Sequence, residues 1–371
     1  MMENRVQMAF AAIDKQIEKS IPSYEQSETR GKNYIQWGEN NQFPEYLNGL
    51  YEEVVTLRTI VNGTADFVSG NDSYCNLEGF GKEINKKGDT MFELVNLLGR
   101  DYLLYGNAYV QIVRNKAGKI GELYYINARY IRSSKKNDIF YYSEEYGKKY
   151  ARTNKTVIYP KFVPEAIDVP TSILNLKTEL DKTYGLPRYI AALKDCETER
   201  QLSEFNLSQI ENGFYGSYIF NFANGIPSDE QKAEIERDIN EKFCGAGNAG
   251  RFLLNFSNGK DNGVTLSKIE IQNIAEKFNL TADRARNQIY ASFAAQPVLF
   301  GIQKETAGFS DEDYQQAFKL YNRTVVSPIQ KKIAIMMDKI FGMENSITIE
   351  PFTIDWSEDS QDDNNEVKTV E

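Results

Sequence analysis

YGLPRYIAALKDCETERQLSEFNLSQIENGF, residues 184–214, is the stretch on which the fold turns. Pro187 suits the first turn of a helix, where its missing N–H is no loss. Tyr189, Ile190, Leu193, Leu202, Phe205 and Ile210 then stripe one side, and Asn212-Gly213 supply a stop. A helix of that length would span roughly 40 Å, long for a globular core and suited to a strut. It has a counterpart over about 273–294, closed by Gln296-Pro297. Between the struts, SYIFNF reads as a strand and IPSDEQKAEIERDINEKF as a helix opened by a Ser228/Gln231 capping box. RFLLNF and VTLSKIEI read as two further strands, so residues 215–271 form a β-α-β-β insert.

Outward from the struts, PVLFGIQKETAGFS (297–310) reads as a loop containing Gly301 and Gly308. Ser310 caps a last long helix, with Asp311, Glu312 and Asp313 at its positive end. Tyr314, Phe318, Tyr321, Val325, Ile329, Met336 and Ile340 stripe that helix, and Pro328 is expected to kink it. ITIEPFTIDW then reads as one strand, followed by an acidic tail expected to be disordered. On the N-terminal side, 1–20 reads as a weakly amphipathic arm or short helix and 21–50 is loop-like. Leu47, Leu50, Val54, Leu57, Ile60 and Val61 predict one helix over about 44–68, ended by Ser69-Gly70-Asn71. Thr90 caps a helix carrying Phe92, Val95, Leu98 and Tyr102 on one side. Residues 105–170 turn aromatic and β-branched, with turns at Asn115–Gly118 and Ser133–Asp138, and predict a small antiparallel sheet. The fold class is α+β.

Composition narrows the chemistry. Of 371 residues none is histidine, which removes the commonest general base and neutral metal ligand. Cys75, Cys196 and Cys244 are isolated, so neither a disulfide framework nor a zinc site is expected. Forty-three Lys and Arg against 53 Asp and Glu leave a formal charge of −10, a poor base for gripping phosphates. No signal peptide and no run long enough to span a bilayer are read, giving the expectation of an intracellular chain with no membrane partner. The 23 Tyr and 21 Phe suit half-buried or subunit-contact surfaces, and a low-GC source would produce the same excess.

Gly245-Ala246-Gly247-Asn248-Ala249-Gly250 matches GxGxxG, but helix precedes and strand follows, the reverse of a dinucleotide site. It reads as a turn, as does Gly79-Phe80-Gly81-Lys82, and no cofactor is expected. Asp195, Glu197 and Glu199 read as a solvated helix face and Asp311–Asp313 as a cap. The alternative, a magnesium-dependent nucleic-acid enzyme, has only these carboxylates behind it. No catalytic or metal-ligating residue is assigned.

The order strut, insert, strut, loop, kinked helix resembles the tailed-bacteriophage portal proteins of the HK97-like family. Trp37-Gly38 and Asn41-Gln42-Phe43-Pro44, with Tyr46-Leu47 and Leu50-Tyr51, look like the entry to a portal wing. Tyr105-Gly106-Asn107-Ala108-Tyr109 with Leu123–Arg132 is similar to a later wing segment. Tyr184-Gly185-Leu186-Pro187 is similar to the family's YGxSP opening, its proline one place early. Ala275–Gly301, with Ala295-Gln296-Pro297 and then Thr324–Pro328, looks like the family's ending, so the likeness runs over roughly 34–342.

The resemblance implies an N-terminal arm (1–20), a wing (21–184), a stem helix (185–214), a clip (215–271) and a second stem helix (272–296). A channel loop (297–310), a long helix (311–342) and a strand with an acidic tail (343–371, a rudimentary crown) complete it. It implies a homo-oligomeric ring, a dodecamer, at one capsid vertex of a virion assembled in bacterial cytoplasm. Double-stranded DNA would enter and leave through the ring, with terminase large subunit, head–tail adaptor and major capsid protein as partners. Gln303, Lys304 and Thr306 are the loop residues placed to touch DNA; the alternative is that Lys304 only keeps a surface loop soluble. The alternative within structural proteins is another head–tail component such as an adaptor.

Overall fold

The computed structural model describes residues 21–28, 31–78, 80–146, 156–211, 218–222, 228, 230–231, 252–256, 264–268, 274–301 and 311–353. The described residues fall into two compact units, one from Pro22–Ile190 with the chain from Ser292 onward, the other from Ala191–Ala291. The mixed α+β class is as expected. The arm 1–20, the Gly245–Gly250 turn and the loop residues Gln303, Lys304 and Thr306 lie outside the described residues.

The first unit opens with a hairpin of β1 (Gln26–Glu28) and β2 (Ile35–Trp37). The helix expected over 44–68 is two helices, α1 (Phe43–Glu53) and α2 (Val55–Ser69), broken at Val54 in extended conformation (φ −97°, ψ 106°). Val54 is itself buried, so the bend sends Leu47 and Leu50 on one side and Leu57, Ile60 and Val61 on the other into one core. α2 stops at Gly70 (φ 70°), where a Cβ would lie 1.9 Å from the Glu350 carbonyl oxygen. β3 (Ser73–Cys75) follows. α3 (Met91–Tyr105) starts on the expected Thr90 cap, completed by Glu93 into a capping box. Its buried side is Leu94, Val95, Leu98 and Tyr102, while Phe92 stays half-exposed.

The expected single sheet is two. β4 (Asn107–Arg114) pairs antiparallel with β5 (Ile120–Ile126) across the Asn115–Gly118 turn. β6 (Ile131–Ser133), β7 (Ile139–Tyr142) and β8 (Val157–Pro160) form a separate antiparallel sheet. The first sheet is completed by β9 (Thr171–Lys177), beyond the expected limit of 170, which covers the other side of β4 from Asn107↔Lys177 to Val113↔Thr171. Ser172, Ile173 and Leu174 are all buried in β9, so it lacks the alternation that marks a half-exposed strand.

In the second unit, α4 (Leu193–Glu211) follows a 3-10 turn at Ile190–Ala192. The helix expected from Pro187 therefore begins later, because Tyr184–Pro187 is committed to contacts described below. Its 19 residues give roughly 28 Å, shorter than expected. β10 (Tyr218–Phe222) lies between β11 (Phe252–Phe256), which it pairs parallel, and β12 (Val264–Lys268), antiparallel. A parallel pair needs a crossover connection. The Ser228 cap is present, its hydroxyl accepting from the Gln231 N–H at 3.3 Å while the Gln231 side chain accepts from the Ser228 N–H at 3.1 Å. α5 (Ile274–Ser292) stands beside α4, with the Phe205 and Phe278 rings stacked 4.7 Å apart.

Back in the first unit, Pro297–Phe300 is a 3-10 turn rather than loop, with Leu299 buried. The last long helix is α6 (Asp311–Tyr321), a π-helical segment (Asn322–Val326) and α7 (Ser327–Phe341). The irregularity expected at Pro328 sits just before it. Proline cannot donate to the carbonyl four residues back, and the Ser327 N–H reaches five back to the Asn322 oxygen instead. The apolar stripe faces the core as expected, with Tyr321, Val325, Ile329, Met336 and Ile340 buried. Of the expected 347–356 strand, Ile347–Ile349 forms β13, paired with β3, the chain from 350 to 353 is not strand, and 354–356 lie outside the described residues.

Candidate functional site

Two of the singled-out sequence stretches meet. Gly106 ends α3 in left-handed conformation (φ 70°, ψ 10°). Its neighbour Asn107 is fully buried and donates from Nδ2 to the Tyr105 and Gly185 carbonyls at 2.9 and 3.1 Å. Its Oδ1 accepts from the Gly185 N–H at 2.9 Å, and the Gly106 carbonyl accepts from the Thr178 N–H. Gly185 is obligatory on the other side, because a Cβ there would lie 2.3 Å from the Gly106 oxygen. The stretches 105–109 and 184–187 are thus one backbone junction, which is why the second is not helical.

Trp37 closes this junction from the third stretch. Its ring stacks on Tyr184 at 4.5 Å and 2°. The Tyr184 hydroxyl donates to the Ile35 carbonyl at 2.6 Å and accepts from the Ser133 N–H at 2.9 Å. Arg132 lies fully buried over the rings of Trp37 and Tyr146. Its guanidinium donates to Asn41 Oδ1 and to the carbonyls of Asn41, Arg129 and Ile131. Every one of those acceptors is neutral, and burial pushes the Arg132 pKa down. Arg132 was legible only as part of the Leu123–Arg132 stretch; nothing in its spacing marks a buried cation.

The carboxylates of α4 do not form the expected solvated face. Glu197 is fully buried, its Oε1 accepting from Arg200 at 2.7 Å and Gln201 at 3.0 Å. Asp195 and Glu199 are half-buried. Among the described residues no group of three metal-ligating side chains occurs, and no helix is long and apolar enough to cross a membrane.

A buried carboxylate that the sequence did not single out is Asp101 on α3. Its Oδ2 accepts from the Ala128 N–H at 2.8 Å and the Tyr125 hydroxyl at 2.9 Å. Burial raises its pKa to about 6, against the opposing pull of Arg100. The folded form therefore holds this proton more tightly than the unfolded chain. Its contribution to stability is greatest below about pH 4 and falls as pH rises to about 6, by roughly 2–3 kcal/mol. Asp101→Asn is expected to flatten that slope in denaturant titrations between pH 4 and 6; an unchanged slope would assign it to other groups.

The ends of the expected channel loop are anchored together. Phe300 lies 6.2 Å from Phe67 on α2, and Phe318 on α6 lies 5.3 Å from the same ring. Gly63 makes room for Phe300, since a Cβ there would come within 2.9 Å of that ring.

Comparison with known proteins agrees with this architecture. The family model described as phage portal protein matches residues 84–361. The probable portal protein of Escherichia phage P2 is 24% identical over 238 residues, 63% of each chain. A chain from the neck of a native gene transfer agent particle, solved with C12 symmetry, has a TM-score of 0.53 at 17% identity, covering 90% of this chain and 87% of that one. An HK97-family phage portal protein from Corynebacterium diphtheriae has a TM-score of 0.52 at 11% identity, covering 82% and 95%. These structures carry the fold, and the chain spans less than two thirds of the length of the curated relatives it matches. With the family model matching most of its length, this chain belongs to the phage portal protein family.

Proposed function

We propose that this chain is the structural subunit of a portal ring at one capsid vertex, through which double-stranded DNA is packaged and later ejected. The observation that carries the reading is the pair of 19-residue helices, α4 and α5, flanking a three-stranded sheet, in a chain of this family. On this reading α4 and α5 are the stem and 215–271 is the clip that meets terminase and later the adaptor. Gln303, Lys304 and Thr306 would border the channel. Twelve subunits, the symmetry of the related neck particle, would total roughly −120 formal charges, which lowers the friction on a phosphate backbone. The role proposed is non-enzymatic, and the buried Glu197 pairs with Arg200 instead of facing a substrate.

Electron microscopy of the purified full chain is expected to show radially symmetric rings with a central hole of DNA width; a stable monomer would overturn the proposal. Lys304→Glu is expected to leave rings intact while packaging falls several-fold. Unimpaired packaging would remove that residue from the channel contact without touching the ring.

A further inference from the structure

The long helix carries charge that runs against the rest of the chain. Lys319, Arg323, Lys331, Lys332 and Lys339 are all exposed on it, against one carboxylate from Tyr314 to Phe341, Asp338, which is taken up by Ser346. Among the described residues, none of the five forms an ion pair with a carboxylate. Lys332 turns toward the Tyr102 hydroxyl at 2.6 Å, and the others have no such partner. Leu320 and Ile335, each 57% exposed, lie along the same run.

The π segment brings two of these cations into line. In an unbroken α-helix, Lys331 would sit about 120° round from Lys319. The wider turn at Asn322–Val326 absorbs about one residue, roughly 100° of rotation, and brings the two within roughly 20° of each other.

The chain itself supplies a complementary polyanion at one end of the face. After β13, Phe352 packs 5.8 Å from Phe318, the residue before Lys319, and 4.9 Å from Phe67. Thr353 is held by Asn71, whose Nδ2 donates to its hydroxyl at 2.7 Å. Residues 354–371 then carry Asp355, Glu358, Asp359, Asp362, Asp363, Glu366 and Glu371 against Lys368 alone. Extended, they reach roughly 60 Å. The face from Lys319 to Lys339 is roughly 30 Å long.

We propose that the acidic segment 354–371 docks along the cationic face of α6 and α7 as a built-in strap that shields it from other polyanions. Exposed ion pairs are individually weak, but tethering holds the partners at millimolar effective concentration, so several act together. The strap is reversible and salt-sensitive, because the Debye length shrinks to about 3 Å at 1 M salt.

Lysine acetylation footprinting of the full chain tests this. The comparison variant is D355N/E358Q/D359N/D362N/D363N/E366Q, checked for unchanged circular dichroism. At low salt, Lys319, Lys331 and Lys339 are expected to react at least threefold faster in the variant than in the native chain. The same rise is expected in the native chain at 1 M salt. Lys116 and Lys119, exposed at the β4–β5 turn, are the unaffected controls. Equal reactivity in both chains overturns the proposal. Protection that appears only with added duplex DNA assigns the face to nucleic acid, and protection lost on dilution assigns it to a neighbouring copy; either result also overturns it.

Discussion

Alanine at Gly106 is expected to lower the thermal midpoint by about 10 °C or to leave the chain insoluble. The left-handed backbone at Gly106 costs any residue with a Cβ about 1 kcal/mol. The larger cost is steric. A Cβ would stand 2.4 Å from both the carbon and the oxygen of the Leu186 carbonyl and 2.9 Å from the Pro187 nitrogen. All three are backbone atoms, so no rotamer change relieves them. The 185–187 segment has to move, and with it go both hydrogen bonds between Asn107 and Gly185. A total of about 4 kcal/mol follows, a large part of a domain's stability. Gly49→Ala is the control: its Cβ meets nothing within 4 Å in α1, and helix propensity predicts slight stabilisation, about 0.5–1 kcal/mol. A Gly106→Ala midpoint within two or three degrees of wild type would mean the junction is pliant.

Tyr184→Phe is expected to cost about 2–4 kcal/mol despite keeping the ring. It strips the buried Ser133 N–H and Ile35 carbonyl of a shared partner, and a buried polar group left unmade carries its full desolvation cost. Stacking on Trp37 survives in the Phe variant and is lost in Tyr184→Leu, which should fall by about 1 kcal/mol more. Denaturant midpoints are expected in the order wild type, Phe, Leu. A Phe variant equal to wild type would place the stability in the ring alone.

These effects arise in residues that the sequence marked as a likeness without revealing their contacts. Local rules were legible: the Thr90 and Ser228 caps, the three insert strands and the apolar stripe of the last helix all follow from short-range chemistry. The break at Val54 was not, because the apolar spacing Leu47, Leu50, Val54, Leu57, Val61 runs through it unchanged. Two backbone bonds also bridge it, Val54 N–H to Leu50 and Arg58 N–H to Val54. A helical period cannot report a bend that preserves its own phase. β9 was missed because a strand buried on both faces does not alternate. Pro187 was misplaced as a helix start because its segment answers to Gly106 and Asn107, some 80 positions earlier in the chain. Glu197 reads as surface by type, and only tertiary packing buries it. Gln303, Lys304 and Thr306 were reached through resemblance, since three polar residues in a loop have no spacing that names a partner.

The Phe67 ring touches Phe300, Phe318 and Phe352, so the chain entering residues 302–310 and the chain leaving them are fastened to one point of the core. A segment hung between fixed posts is a replaceable cassette. Doubling its length would cost only about 0.6 kcal/mol in closure entropy. Grafting a foreign loop between Gly301 and Asp311, with the aromatic posts kept, becomes an engineering operation that spares the fold.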